Sequence, residues 1–423
     1  MMYGMKNIGC MSEGEIIEAF ATIPQGVTTL GLSGNYLYQK SGAGLAQVFA
    51  LIPPGVRTLS LSWNSLYQKS GAELAEAFAV IPNWVTTLML HGNQLGNKSG
   101  GELVQAFSSI SPGITTLNLK DNYLDSRSGV ELAQAFAAVP SGVATLILRG
   151  NHLGEKSGVE LAQAFAAIPQ SVTTLNLSWN DLYKKSGAEL AQALVVIPQS
   201  VTTLDLSWNS LGNKSGAELA QVLAAIPQGV STLDLSLNEL YQKSGTELVQ
   251  AFSAIPQGVN ALDLSLNDLH QKSGTELAQA FAAIPKGVTM LDLQKNGLWK
   301  KSVDELMLIF KAIPQHVARI SLSVHELNQM SFEQLKAIQT RYPCAEQIIL
   351  IGADEGNRQL NPTLNRADAN VYVRFGFKVS PPSLFQTTSF FVARNKEKLA
   401  LLVPGFEQML HPGLLKGINQ FGG

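Results

Sequence analysis

The chain has 423 residues, enough for two or three ordinary domains, and 45% of them are apolar, ample for a large core. Its 30 basic side chains nearly balance 32 acidic ones, which argues against a nucleic-acid partner or a membrane surface. The two cysteines, Cys10 and Cys344, are too few for a stapled secreted scaffold, so a reducing, cytosolic compartment is expected. Met1 to Cys10 hold no apolar run of signal-peptide length. No run of about 18 apolar residues predicts a transmembrane helix.

In chain order, Ser12-Glu13-Gly14-Glu15 and Pro24 come first. They are in phase with the helical half of the repeating unit, so the chain opens on a partial repeat. Ten copies of L-x-L-x-x-N-x-L come next, with asparagines at Asn35, Asn64, Asn93, Asn122, Asn151, Asn180, Asn209, Asn238, Asn267 and Asn296, each step 29 residues. A degenerate eleventh copy is Ile320-x-Leu322-x-x-His325-x-Leu327. One step further, Ile349-x-Ile351 predicts a twelfth strand in the same phase.

Within a unit, Val201, Leu204 and Leu206 lie in an alternating stretch, which reads as a strand with one buried face. Leu219, Leu223 and Ile226 come after it at helical spacing. Ser215-Gly216-Ala217-Glu218 predicts a capping box, in which serine accepts the third N–H and glutamate reaches back. Pro227 stops the helix. Each unit is therefore strand, loop, helix, loop, and right-handed crossovers stack the strands into one parallel sheet. Strands sit about 4.8 Å apart and helices about 8–10 Å. The stack must curve, with the strands on its inner face.

This pattern resembles the leucine-rich-repeat superfamily, and within it the ribonuclease-inhibitor-like class, over roughly residues 12–351. Ribonuclease inhibitor alternates two kinds of unit, whereas this chain repeats one. The near-identical units and the phrase K-S-G-x-E-L-A-Q-A-F resemble the leucine-rich-repeat effectors that intracellular bacteria of the Legionella type inject into host cells. The resemblance implies an α/β horseshoe with a concave parallel sheet and convex helices. It also implies that the asparagines bond the backbone of adjacent turns.

Function is then expected at positions the core does not fix. Between the two strand leucines stand Asp205, Asp234, Asp263 and Asp292, on consecutive units. Just beyond the second leucine stand His91, Lys120 and Arg149. One residue further stand Trp63, Asp121, Trp179, Trp208, Leu237 and Leu266. These predict a polarised concave surface with Trp63, Trp179 and Trp208 as anchors, since aromatic side chains dominate many interfaces. The aspartate column has a second reading, as a copy carried along by duplication with neighbouring serines satisfying the carboxylates. A calcium site is disfavoured, because a flat column cannot surround an ion that takes six or more oxygens.

The repeat is lost after Ile351, dividing the chain into a solenoid over 1–351 and a C-terminal segment over 352–423. Val371 to Val379 alternates as a strand, Thr387 to Ala393 predicts another, and Lys396 to Leu402 a short helix. A solenoid end needs a cap. Leu306-Met307-Leu308-Ile309-Phe310 is apolar all round, so the C-terminal segment is expected to cover that helix. A basic interaction module is the alternative for this segment.

Catalysis finds no support. Cys344 is the one candidate nucleophile near the tail, and no His or Asp motif accompanies it. No phosphate loop, dinucleotide fingerprint or H-E-x-x-H occurs. The expectation is a non-enzymatic, monomeric protein without cofactor or metal that binds a host protein through its concave face, after translocation into the host cytoplasm. The alternative is an adaptor whose C-terminal segment recruits a second partner, such as ubiquitin-ligase machinery.

Overall fold

The computed structural model describes residues 1–352, 358–361 and 366–379. Thirteen parallel strands form one sheet in strict chain order. From Thr29–Gly31 to Arg319–Ser323 each strand pairs with its neighbour at a spacing of 29, as Leu204 does with Leu233. The expected solenoid is therefore present, with a helix returning each strand to the next.

In the unit that starts at Val201, the strand Thr203–Asp205 leads to a 3-10 turn, Leu211–Asn213, and then to the helix Gly216–Ala224. Leu204, Leu206, Leu211, Leu219, Val222, Leu223, Ile226 and Val230 are all buried. A nine-residue helix is too short to persist alone, so this shared core holds it. Each of these side chains contributes roughly 1.5–3 kcal/mol of burial before entropy is charged.

Two polar ladders tie the units together. In the first, the asparagine amides span three consecutive units. Asn209 Oδ1 accepts the N–H groups of Asn180 (2.9 Å) and Leu182 (3.3 Å) in the unit before. Its Nδ2 donates to Leu177 O and Leu206 O, each at 3.0 Å. Its own N–H donates to Asn238 Oδ1 at 3.1 Å. The side chain is 1% exposed, so no water could replace these bonds.

The second ladder explains the K-S-G-x-E phrase. Glu218 Oε2 accepts from Ser215 N (3.1 Å) and Ser215 Oγ (2.9 Å), which completes the capping box. Glu218 Oε1 accepts the N–H of Gly187 in the preceding unit at 3.1 Å. Gly187 is required because a Cβ there would lie 2.7 Å from Glu218 Cα. The lysine two residues before the helix-opening glycine runs inward. Lys214 is 3% exposed, and its Nζ donates to Lys185 O and to Tyr183 O (3.3 Å) of the preceding unit. A buried ammonium is tolerable only with such partners.

Both ends depart from the simple register. The first unit is complete rather than partial, because Met2–Gly4 forms a strand that pairs Met2 with Thr29, 27 residues on. Its loop is two residues short, which hides it from a search at a fixed period of 29. At the other end Ile320 pairs with Ile348, 28 residues on, and Leu322 with Leu350. The expected phase at Ile349 and Ile351 is therefore wrong by one residue. A slip of one exchanges the two faces of a strand, so Ile348 (2% exposed) and Leu350 (0%) take the inward leucine positions.

His325 likewise does not take the asparagine role. The residues Val324–Leu327 form a helical turn that leaves His325 exposed and turns Glu326 inward. Glu326 accepts from Lys295 N and Gly297 N, both at 2.6 Å, and so closes the ladder with a carboxylate.

The stretch Val371 to Val379, expected as a strand, belongs instead to the helix Arg366–Arg374 and the turn after it. Tertiary anchors override the alternating pattern. Tyr372 is 1% exposed, and its hydroxyl donates to Ile348 O while accepting from Leu350 N, both at 3.0 Å. Leu360 N donates to Leu350 O (2.7 Å), and Arg358 grips the buried Asp368 through two bonds of 2.8 and 2.7 Å. These contacts meet the free edge of the strand Ile348–Ile351, which would otherwise present open backbone groups. Residues 358–361 and 366–379 thus lie against the strand Ile348–Ile351 and the helix Phe332–Arg341, where Gln339 Nε2 donates to Phe375 O. They do not cover the apolar helix Val303–Ala312, whose Met307 and Leu308 are exposed. The expected strand at 387–393 and helix at 396–402 fall outside the described residues. No helix among the described residues is long and apolar enough to cross a membrane.

Replacing Asn209 with alanine strands two buried N–H groups, at Asn180 and Leu182. At about 1–3 kcal/mol for each unsatisfied group, the substitution should cost several kcal/mol locally. Hydrogen exchange should show those two amides losing protection first, while the terminal units keep theirs.

Candidate binding surface

The inner face carries one row of side chains from between the strand leucines and two more from the residues just after them. The first row contains Asn176, Asp205, Asp234, Asp263 and Asp292, all half-buried on adjacent strands. Each aspartate accepts the N–H two residues ahead through Oδ1: Ser207 (2.9 Å), Ser236 (2.8 Å), Ser265 (2.8 Å) and Gln294 (2.9 Å). Asn176 Nδ2 donates to Asp205 Oδ2, and Gln294 Nε2 to Asp292 Oδ2 at 2.7 Å. Serines satisfy part of three of these carboxylates and Gln294 part of the fourth, as the duplication reading expects of the serines. Among the described residues, none of the four forms an ion pair with a cation.

Burial pushes the carboxyl of Asp234 up to about 6, and the neighbouring charges of Asp263 and Asp205 add to it. Asp263 rises to about 6, first through burial and then through Asp292. Asp292 is raised too, mainly by burial. The column therefore holds charge that the fold does not compensate.

The basic residues are dispersed by their neighbours rather than gathered. His91 Nδ1 lies 2.6 Å from Ser62 Oγ, and burial, followed by the charge of Lys120, lowers its pKa. Lys120 pairs with Asp121 at 3.2 Å. Arg149 stands over the ring of Trp179, with its guanidinium carbon 5.0 Å from the ring centre.

The outer row has a backbone feature that the sequence pattern does not display. Trp63, Trp179, Trp208, Leu237 and Leu266 all sit at φ between 54° and 56°, in the left-handed region. Gly34, Gly92 and Gly150 hold the same place in other units at φ 64–69°. A side chain with a Cβ costs about 1–2 kcal/mol there, and glycine escapes that cost. The chain must turn this way to present each ladder asparagine. The tryptophans nonetheless remain 60% (Trp63), 47% (Trp179) and 46% (Trp208) exposed. The buried part of each indole offsets that strain at about 25 cal/mol per Å², and the rest faces outward.

These side chains lean toward the next unit. The Trp63 ring lies where a Cβ of Gly92 would stand, at 2.5 Å, and meets His91 edge-on at 5.9 Å. Trp179 and Trp208 meet at 6.2 Å between ring centres. With half-buried Leu237 and exposed Leu266 they make an apolar stripe across four consecutive units. Of the residues singled out from sequence, the structure brings together Arg149, Trp179 and Trp208, and separately the four aspartates. Trp63 and His91 form their own pair nearer the N-terminus.

A cleft of about 330 Å³ opens beside Trp63, lined by Tyr36, Tyr38, Ser65 and Gln68. Elsewhere, Cys344 starts the turn before the last strand, with its N–H on Gln347. Among the described residues, no group of three or more His, Cys, Asp or Glu is arranged to hold a metal.

The model of a family described as Leucine Rich repeat matches residues 169–191 and 198–220. Among solved structures, the leucine-rich repeat-containing protein LegL7 from Legionella pneumophila is similar at 34% identity and a TM-score of 0.61, covering 91% of this chain and 100% of its own. No curated protein matches the sequence.

Stability should record the aspartate column. A carboxyl whose folded pKa lies above its unfolded value of about 3.9 destabilises the fold at neutral pH and ceases to do so as pH falls below that value. The variant D234N/D263N should therefore melt higher than wild type at pH 7. The advantage should shrink from about pH 6 downward and vanish near pH 4. The capping glutamates act in the opposite sense. Glu73, Glu247 and Glu305 are held down to about 2, so their contribution is lost in both proteins as pH falls from about 4.5 toward 2. Melting curves of the two proteins from pH 4 to 7 measure the difference.

Proposed function

The chain belongs to the leucine-rich-repeat family, and on that premise we propose that it is a non-catalytic interaction protein whose concave face grips a protein partner. The observation that carries this reading is the exposed tryptophan in a strained conformation. At Trp63, Trp179 and Trp208 the fold would accept glycine, the occupant of the same place at Gly34, Gly92 and Gly150. Side chains that strain the backbone and stay exposed are best accounted for by what they touch outside the chain. A partner that buried them would gain the large apolar area of an indole.

The likeness to a Legionella pneumophila protein supports a narrower reading. In it the chain is a bacterial effector that acts as a monomer in the host cytosol and binds a host protein. Trp63, His91 and Lys120 form one end of the contact surface, and Arg149, Trp179, Trp208 and the aspartates the other. Residues 352–423 serve in this reading to cap the solenoid. The edge contacts of Tyr372 and Leu360 are their visible share of that work.

The test is affinity capture from host-cell lysate with the full chain, comparing wild type with W179G/W208G and with W63G. Glycine suits the left-handed backbone, so each variant should melt within a few degrees of wild type. A captured host protein should be lost, or weakened at least tenfold, with one of the two variants. A partner held equally well by wild type and both variants would exclude the concave face as its site.

A further inference from the structure

The concave surface has a second regularity, which rests on the interaction reading above and specifies it. Two rows run side by side along the solenoid. One is acidic and half-buried, Asp205, Asp234 and Asp263; the other is apolar, Trp208, Leu237 and Leu266. Within each unit the two members are three residues apart. They lie closer than the roughly 10 Å of an extended chain, because the strand ends at the aspartate and the backbone turns left-handed at the outer residue. On this face only serines, mostly buried, lie between. The surface is a strip with one charged edge and one apolar edge, and both edges repeat once per strand.

We propose that this strip receives an amphipathic α-helix lying along the solenoid axis, with lysine or arginine on the row that faces the aspartates and apolar side chains on the neighbouring row. Three observations lead there. The first is charge. Among the described residues the aspartates have no cation of their own, so the partner is the one to supply it. The second is width. A helix with its side chains is about 10–12 Å across, so it touches both edges at once.

The third is period. Adjacent strands are about 4.8 Å apart, and one helical turn advances about 5.4 Å. Over the two steps of each three-residue row the two drift apart by about 1.2 Å, within the reach of a lysine side chain. A partner in extended conformation presents same-face residues about 6.6 Å apart. Over the same two steps it falls out of phase by about 3.6 Å, three quarters of a strand spacing. Helix-in-groove recognition is an established mode of peptide binding, and here the repeat length itself selects it.

The protonation of the column supports the same partner. Asp234 and Asp263, both at about 6, are largely neutral at pH 5 and charged at pH 7. A cationic helix binds the charged form, so its affinity should fall on acidification through that range.

Three labelled 18-residue synthetic peptides, the first two of one composition, test the proposal by fluorescence anisotropy against the full chain. The first is helix-forming, with lysines and leucines on adjacent rows. The second places them on opposite faces of the helix. The third has the first pattern interrupted by two prolines. The first should bind at least tenfold more tightly than the others at pH 7. It should weaken at least tenfold at pH 5, with D234N/D263N, and with L237N/L266N, where asparagine tolerates the left-handed backbone. Equal binding of the three peptides, indifference to both variants, or no binding of the first peptide overturns the proposal. Tightest binding of the proline peptide overturns it in favour of an extended partner. The wider reading fails separately. A captured protein that depends on Trp63 yet ignores D234N/D263N and L237N/L266N leaves the concave face as the binding surface and removes the basic helix.

Discussion

A primary amide buried among backbone carbonyls and N–H groups must find a partner for every one of its polar atoms. Asn209 does so by bonding the unit before it and the carbonyls of its own unit, while its backbone N–H donates to the asparagine of the unit after it. The consequence is a spacing enforced one step at a time. A unit whose asparagine fell out of step would leave an amide and two N–H groups unpaired in a water-free interior, at about 1–3 kcal/mol each. The regular 29-residue period is consistent with that accounting. The buried lysine and capping glutamate repeat the arrangement on the outer side of the loop, so both margins of each 3-10 turn are tied to a neighbour.

The ladder also sets the places where function can vary. To aim each asparagine inward, the backbone passes through the left-handed region immediately before it, as at Trp208. That position projects its side chain outward at the rim of the inner face, and glycine would be the least strained occupant. Tryptophan and leucine there stand beside aspartates that have no ion-pair partner among the described residues, and together they make a surface with one apolar and one acidic row. The asparagines, lysines, serines and glutamates of the same units are explained by the neighbours they bond.

Where the ladder ends, the rules change. Glu326 replaces the amide with a carboxylate, and Tyr372 closes the last strand with a single hydroxyl that both donates and accepts. The end strand has lost its 29-residue phase because no further asparagine requires it. The first strand, two residues out of phase, has the same freedom at the other end.

The sequence by itself determined the parallel solenoid, the capping and core positions of each unit, and the rows of variable residues on its inner face. It could do so because the period is repeated ten times and every copy reports the same local physics. It misplaced what is not repeated. Alternation at Val371 to Val379 suggested a strand, yet contacts of Tyr372 with Ile348 and Leu350 select a helix. Phase pointed to His325 and Ile349, yet a helical turn and a shortened loop hand those roles to Glu326, Ile348 and Leu350. Only the tertiary structure decided that Trp63, Trp179 and Trp208 stand on strained backbone, that Arg149 stacks on Trp179, and that the aspartates have no counter-charge among the described residues. Such facts depend on which neighbours surround a residue in space, and a single chain position carries no record of them until the units are stacked.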